Sequence, residues 1–267
     1  MPMRRMLPIL VFVLLSATAL AQSDSPDALY QRGLNAVVGI GPVHNDREGI
    51  ELFRRAAQVG YGPAQLALGY YYETGTVVPR DLNQSLDLYR KAATQGDPLA
   101  GWLIGRRYYI GNGGAPDLDA AIKWFKPAAD RNNAFAAYFL GRIMADRDYT
   151  KAPALYKIAA DQGLPQAQYF YARALKEGRG VPQDRFTAYI WFTIALDAHY
   201  TLASTDLSEL RTNANLTLSQ INEAQARAHE LEQTVIRAVN SRGCDGWDGE
   251  LDEIPAPPPP SLQPYCH

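Results

Sequence analysis

Phe53, Tyr89 and Phe125 each stand three residues before an Ala-Ala pair, and they are spaced 36 residues apart. Tyr156 follows Phe125 by 31 residues, again three before an Ala-Ala pair, and Phe192 follows Tyr156 by 36. A fixed period of this size marks a repeat array, in which each unit buries its apolar face on its neighbours. That architecture is built for contact, and it argues against an enzyme.

A second series runs in register with the first. Ala28, Ala64, Ala100 and Ala136 are 36 apart, and Ala167 comes 31 later. Five residues beyond each stands Gly33, Gly69, Gly105, Gly141 or Ala172. Twelve beyond four of these stand Asn45, Asp81, Asp117 and Asp184, whereas Asp148 lies only seven beyond Gly141. The five-residue deficit therefore falls between Gly141 and Asp148. Five units follow, starting at Ala28, Ala64, Ala100, Ala136 and Ala167.

The unit from Ala64 to Leu99 shows what each must be. Ala64, Leu68 and Tyr72 form one helical stripe, and Gly75 ends it. Asp81 is a good N-cap, with Gln84 three residues on in capping-box position. Leu82, Ser85, Leu88, Tyr89 and Ala92 continue at helical spacing until Gly96 and Pro98 stop the second helix. Each unit is thus helix, short loop, helix, and the chain is all-α. A mid-helix glycine costs about 1 kcal/mol relative to alanine. Its recurrence at one place in four units predicts close packing there, with the aromatic residue before each Ala-Ala pair filling the space alongside.

The run AQLALGYYYETGTVVPRDLNQSLDLYRKAATQGDPLA resembles the Sel1-like repeat, a relative of the tetratricopeptide repeat. AGWLIGRRYYIGNGGAPDLDAAIKWFKPAADRN and AQYFYARALKEGRGVPQDRFTAYIWFTIAL match the same pattern. The resemblance covers about residues 28–202 and implies an α-solenoid, a right-handed superhelix of helix-turn-helix repeats with a C-terminal capping helix. There are departures: the fourth unit lacks the G-x-G-V loop, the fifth has Ala172 for glycine, and the first has the loop Gly39 to His44. Pro127 and Pro153 fall in second-helix patterns, where each should kink its helix or set a late start.

Outside the repeats, residues 1–21 read as a secretory signal: Arg4-Arg5, an apolar run from Leu7 to Leu15, and the A-x-A site Ala19-Leu20-Ala21. The run is too short to span a bilayer, and no cysteine follows the site. The expectation is an exported chain, periplasmic or secreted, with no stable membrane anchor after cleavage. Its charge would change from −2 to −4 on loss of the two arginines, which gives no nucleic-acid signal. Residues 22–27 are a short linker. Residues 203–242 are expected to cap the array: Leu207 and Leu210 suggest a short helix, and Thr217 to Gln220 open a longer one with Ile221, Ala224, Ala228, Leu231 and Val235 on one stripe. Residues 243–267 form a Gly- and Pro-rich tail holding Cys244 and Cys266, the chain's two cysteines. In an exported chain they are candidates for a disulfide; the alternative is two free thiols.

The catalytic motifs are missing: there is no H-E-x-x-H, G-x-S-x-G, C-x-x-C or Walker A loop. His44, His199, His229 and His267 lack ligand spacing, so no metal, cofactor or catalytic residue is assigned. Gly111 to Gly114 and Gly178 to Gly180 follow helices rather than strands and coincide with the repeat's own turn, which weakens a phosphate-loop reading. Asp245, Asp248 and Asp252 do not fit an EF-hand and read as solvated tail charges.

One pattern rises above packing. At about 100° per residue, positions two and six after each leading alanine point away from the core stripe. The first set reads Tyr30, Leu66, Trp102, Tyr138 and Tyr169; the second reads Leu34, Tyr70, Arg106, Arg142 and Arg173. Resemblance to tetratricopeptide arrays implies that first helices line a concave groove, so these are its candidate ligand-binding residues. Aromatic residues and arginine are enriched in binding hot spots, and arginine pairs bidentately with carboxylates. The alternative is that the aromatics complete packing between repeats and the arginines are solvated. The function expected is a non-enzymatic scaffold holding an acidic peptide or protein segment. Two other classes stand beside it. One is a cell-wall glycan binder, with the aromatics stacked on sugars. The other is a β-lactam-binding or hydrolysing enzyme like the cysteine-rich Sel1-like proteins, whose cysteine pairs this chain lacks within its repeats.

Overall fold

A helix pair can bury one side of each helix on its partner but leaves the outer side of the pair open. The structure answers this with repeated pairs that cover one another. It is a computed structural model that describes residues 25–38, 45–111, 114–213 and 216–241. These residues contain twelve α-helices, one short 3₁₀ turn and no strand. They divide into two compact units, the first ending at Gly96 and the second starting at Asp97.

The first unit holds repeats one and two: α1 Pro26–Val38 with α2 Asp46–Gln58, and α3 Gly62–Thr74 with α4 Leu82–Thr94. Within it α1 packs on α2, α2 on α3 and α3 on α4. The second unit holds repeats three to five: α5 Pro98–Ile110 with α6 Leu118–Ala129, α7 Ala134–Arg147 with α8 Ala152–Ala160, and α9 Pro165–Glu177 with α10 Arg185–Asp197. It ends with α11 Ala203–Asn213 and α12 Leu218–Ser241, both packed on α10.

In repeats one, two, three and five the polar residue twelve beyond the glycine or alanine of the second series caps the second helix. The side chains of Asn45, Asp81, Asp117 and Asp184 accept backbone N–H bonds from the first turns of their helices. The capping box expected at Asp81 and Gln84 is only half present. The Asp81 N–H donates to the Tyr72 carbonyl at 2.9 Å, so the donor that Gln84 would have satisfied is already used. The same nine-residue link joins Asn45 to Ala36, Asp117 to Tyr108 and Asp184 to Leu175. In these four repeats it ties the start of the second helix to the end of the first. Thr217 and Gln220 make the full reciprocal box: the Gln220 side-chain oxygen accepts from the Thr217 N–H, and the Thr217 hydroxyl accepts from the Gln220 N–H.

Second helices end alike. Gly60, Gly96, Asn132, Gly163 and His199 have φ between +61° and +91° and recur with the repeat spacing. After four of them, Tyr61, Asn133, Leu164 and Tyr200 donate to carbonyls five residues back, closing a Schellman turn. Glycine and asparagine suit this left-handed position; His199 takes it against its side chain's preference.

The glycine series lies where sequence reasoning put it. An added Cβ would meet the second-helix ring of the same repeat: Phe53 2.7 Å from Gly33, Tyr89 2.7 Å from Gly69, Phe125 2.5 Å from Gly105, and Tyr156 2.8 Å from Gly141. All four rings are buried. In the shortened fourth repeat, Pro153 sits in the first turn of α8, after the 3₁₀ turn Tyr149–Lys151, so this proline marks a late start. Pro127 stands inside α6, which continues to Ala129.

On α12 the inward stripe comprises buried Ala224, Ala228 and Val235, with Ile221 and Leu231 half-buried. The Lys176 ammonium joins α9 to α11 through Asp206 at 2.7 Å and Glu209 at 2.6 Å. The signal-like segment, the loop from Gly39 to His44, and the tail with Cys244 and Cys266 lie outside the described residues.

Gln65 and Gln168 occupy the same place in repeats two and five, and both are buried. Each donates through Nε2 to a carbonyl at the end of the preceding repeat, Ala57 or Ala160. Gln65 Oε1 also accepts from Gln95 Nε2 at 2.8 Å, but Gln168 Oε1 has no partner among the described residues. The residue equivalent to Gln95 there is Ala198, with nearly the same backbone, φ −81° ψ 22° against −85° and 2°. Ala198→Gln is expected to supply the missing donor and stabilise the protein by about 1 kcal/mol. Thermal melts of the variant and the parent test this, and an unchanged or lower melting point rejects it.

Candidate functional site

The ten groove candidates do not share one exposed face. In the first unit Leu34 and Leu66 are buried, and Tyr30 and Tyr70 are half-buried. In the second unit Trp102, Arg106 and Tyr138 are buried, Tyr169 and Arg173 are half-buried, and Arg142 is exposed. The expectation that positions two and six both point clear of the core is therefore corrected. A residue 200° from the core stripe of a lone helix faces solvent, but in an array that side meets the next repeat.

The ring contacts show this directly. Tyr30 lies 5.6 Å from Phe53 of its own repeat and 5.6 Å from Tyr61 at the start of the next. Trp102 lies 5.0 Å from Phe135, Tyr138 6.2 Å from Phe170, and Tyr169 5.1 Å from Tyr200. The aromatic row is thus part of the packing between successive repeats.

The arginine row is different. In an α-helix a side chain four residues on leans back over the earlier one. Arg106, Arg142 and Arg173 accordingly lie over Trp102, Tyr138 and Tyr169, at 5.5, 5.9 and 5.9 Å from the ring centres. Their surroundings then diverge. Arg106 is buried. Arg173 pairs with Glu177 at 3.1 Å. Arg142 donates to the Tyr138 hydroxyl at 3.0 Å, and no carboxylate among the described residues pairs with it.

Arg142 also has the widest aromatic frame. Phe170 of repeat five lies 5.5 Å from its guanidinium carbon. Tyr109 of repeat three stands 5.1 Å from Phe139 and is close enough to influence the Arg142 charge. Partial burial disfavours that charge, but the Tyr138, Tyr109 and Tyr156 hydroxyls outweigh it and hold the guanidinium pKa above its ordinary value. Next to this frame, Arg179 stacks on Tyr149 at 3.7 Å, and burial pushes the Tyr149 phenol up. Tyr149 lies in the short fourth-repeat connection and Arg179 in the fifth-repeat loop. The loop of the fifth repeat therefore packs where the fourth repeat is five residues short.

Sequence reasoning missed Tyr109 and Phe170. Tyr109 is nine residues into its repeat, where the other repeats have Val37, Glu73, Ala145 and Lys176, so no periodic signal marked it. Phe170 follows Tyr169 and belongs to a position that is aromatic in two repeats only, Phe139 being the other.

The arrangement offers a cation that no carboxylate among the described residues pairs with, beside the rings of Tyr138 and Phe170. It can hold a carboxylate and the apolar groups next to it. Among the described residues no cluster of His, Cys, Asp and Glu could hold a metal ion.

Comparison with known proteins fits this architecture. The Sel1 repeat model matches five times, at residues 19–61, 62–97, 99–133, 134–164 and 165–200. A crystal structure of a Sel1 repeat protein from Oxalobacter formigenes is 26% identical, with a TM-score of 0.63 over 78% of this chain and 88% of that one. The structure of c5321, a protective antigen of uropathogenic Escherichia coli with an SLR fold, is 23% identical and supports the fold, with a TM-score of 0.64 over 89% of this chain and 58% of that one. No curated protein matches the chain. Sel1 repeats generally mediate protein–protein interactions. With five matches spanning most of its length, this chain belongs to the Sel1 repeat family.

Proposed function

We propose that this protein is a non-enzymatic, exported scaffold that holds an acidic segment of a partner protein against Arg142. One observation carries the site: an exposed guanidinium without a carboxylate partner among the described residues, framed by aromatic side chains of three successive repeats. The partner supplies the carboxylate, and Tyr109 and Phe170 take the apolar contact beside it. This narrows the ten-residue groove considered from sequence to one anchor with its surroundings, and Arg173 becomes a neighbour already engaged by Glu177. Arg4-Arg5, the apolar run and the A-x-A site support export to the periplasm or medium.

Two measurements test the proposal. The intact mass of the exported protein is expected to correspond to a chain starting at Gln22; retention of Met1 rejects export by this signal. Pull-down from an envelope extract, with and without wall fragments, is expected to yield a protein that Arg142→Glu fails to retain. Capture of wall fragments alone favours glycan binding instead.

A further inference from the structure

The short connection of the fourth repeat brings a second arginine close to Arg142. Gly178 and Gly180 of the fifth-repeat loop have φ of +67° and +74°, the left-handed region that favours glycine. A Cβ on Gly180 would stand 2.8 Å from the Tyr149 carbonyl oxygen and 3.1 Å from Pro153 Cγ, so glycine lets this loop lie against the fourth repeat. Between the two glycines, the Arg179 N–H donates to the Ala174 carbonyl at 3.0 Å. The Arg179 guanidinium carbon lies 3.7 Å from the Tyr149 ring centre.

Stacking occupies the flat face of a guanidinium and leaves its N–H edge for an acceptor. Arg179 is exposed, and no carboxylate among the described residues pairs with it. Glu177 and Asp148, which precede the loop and Tyr149 in the chain, are engaged by Arg173 at 3.1 Å and Lys151 at 2.9 Å. Asp146, one turn beyond Arg142, pairs with neither guanidinium.

The spacing follows from the helix. Tyr149 comes seven residues after Arg142, two turns on and on the same face, about 10 Å along at 1.5 Å per residue. Tyr156 is close enough to be influenced by both. An extended strand returns to one face every second residue, so its side chains would stand about 6.6 or 13 Å apart. A polyproline II segment returns every third residue, at about 9.3 Å, and suits surfaces lined by rings such as Tyr109 and Phe170.

We propose that Arg179 is a second anchor of the Arg142 site, and that the segment held there is a polyproline II stretch with acidic residues three positions apart. The inference rests on the acidic-segment reading of Arg142 and adds the spacing and conformation of the ligand. An exposed ion pair contributes little, and the stacked, bidentate geometry puts Arg179 near the upper end of that range, about fivefold in affinity.

The test uses the full chain and two fluorescein-labelled peptides of one composition, GPEPPEPG and GPEEPPPG, at an ionic strength of about 0.05 M. Fluorescence anisotropy gives the affinity of each for the parent, Arg179→Gln and Arg142→Glu, and circular dichroism checks that the variants keep their helices. The parent is expected to bind the spaced peptide about fivefold more tightly than the adjacent one. Arg179→Gln is expected to remove that advantage, and Arg142→Glu to weaken both peptides. Equal affinities for the two peptides, or an advantage that survives Arg179→Gln, overturn the second anchor; if both peptides remain sensitive to Arg142→Glu, the first site stands. Insensitivity to Arg142→Glu, or no binding of either peptide, overturns both.

Discussion

Gly105→Leu is expected to lower the stability of this protein by about 1–3 kcal/mol or slightly more, the range for overpacking a filled core. For a chain of this size that is about 2–4 °C in Tm per kcal/mol. Of the four mid-helix glycines in this series, Gly105 has the tightest approach: a Cβ there would stand 2.5 Å from Phe125 Cε1 and closer still to Cδ1. Phe125 is fully buried and in contact with Tyr109 and Phe139, so its ring has little room to retreat. The control is the same substitution at Gly114, which is exposed and has nothing within 4 Å of an added Cβ. Gly114→Leu should leave the melt within about 0.5 kcal/mol of the parent, as surface changes usually do. Equal melts for the two leucine variants would mean that the glycine series is not a packing series. Repeat five supplies an internal comparison: Ala172 stands at the glycine position, both it and Phe192 are fully buried, and the packing there has adjusted to one methyl group. Gly105→Ala should therefore cost less than Gly105→Leu.

The same residues show how far the sequence could be read. Period alone gave the helix pairs, because an Ala, Gly, N-cap and aromatic series in fixed register leaves little freedom in how a unit folds. The packing partner of each glycine was legible too, since only a large flat side chain could fill the space that the missing Cβ opens. The functional surface was not legible in the same way. Helical angle placed Trp102 and Arg142 on the outer side of their helices, but angle describes one helix and burial depends on its neighbours. Trp102 is covered by repeat four through Phe135, whereas Arg142, one repeat later and four residues further on, stays open. That difference comes from contacts between repeats, and so does the role of Tyr109, which breaks the periodic pattern instead of following it. The Asp81–Gln84 pair failed as a capping box for a related reason: the Asp81 N–H was taken by Tyr72, on the helix before it.

Arg142→Glu is expected to weaken binding of an acidic partner by about tenfold to a hundredfold, whereas Arg90→Glu should leave it nearly unchanged. A hydrogen bond to a charged group contributes about 1.5–3 kcal/mol, and each 1.4 kcal/mol is tenfold in affinity. Reversal also places a carboxylate against a carboxylate, so the upper part of that range is the better expectation. Arg90 is a fair comparison because its side chain is 44% exposed, but it stands on a second helix with Asp87 alongside. Charge reversal there changes the net charge by the same amount without touching the aromatic frame. Salt separates the two contributions at the site. Raising ionic strength from about 0.05 M to 0.5 M shortens the Debye length severalfold and should weaken the parent's binding. Contacts to Tyr109 and Phe170 are unscreened, so binding should fall without vanishing, and the Arg142→Glu variant should show a flat or inverted salt response. If both reversals act alike, general charge and not the Arg142 frame governs recognition. If neither acts, the partner binds another face of the array.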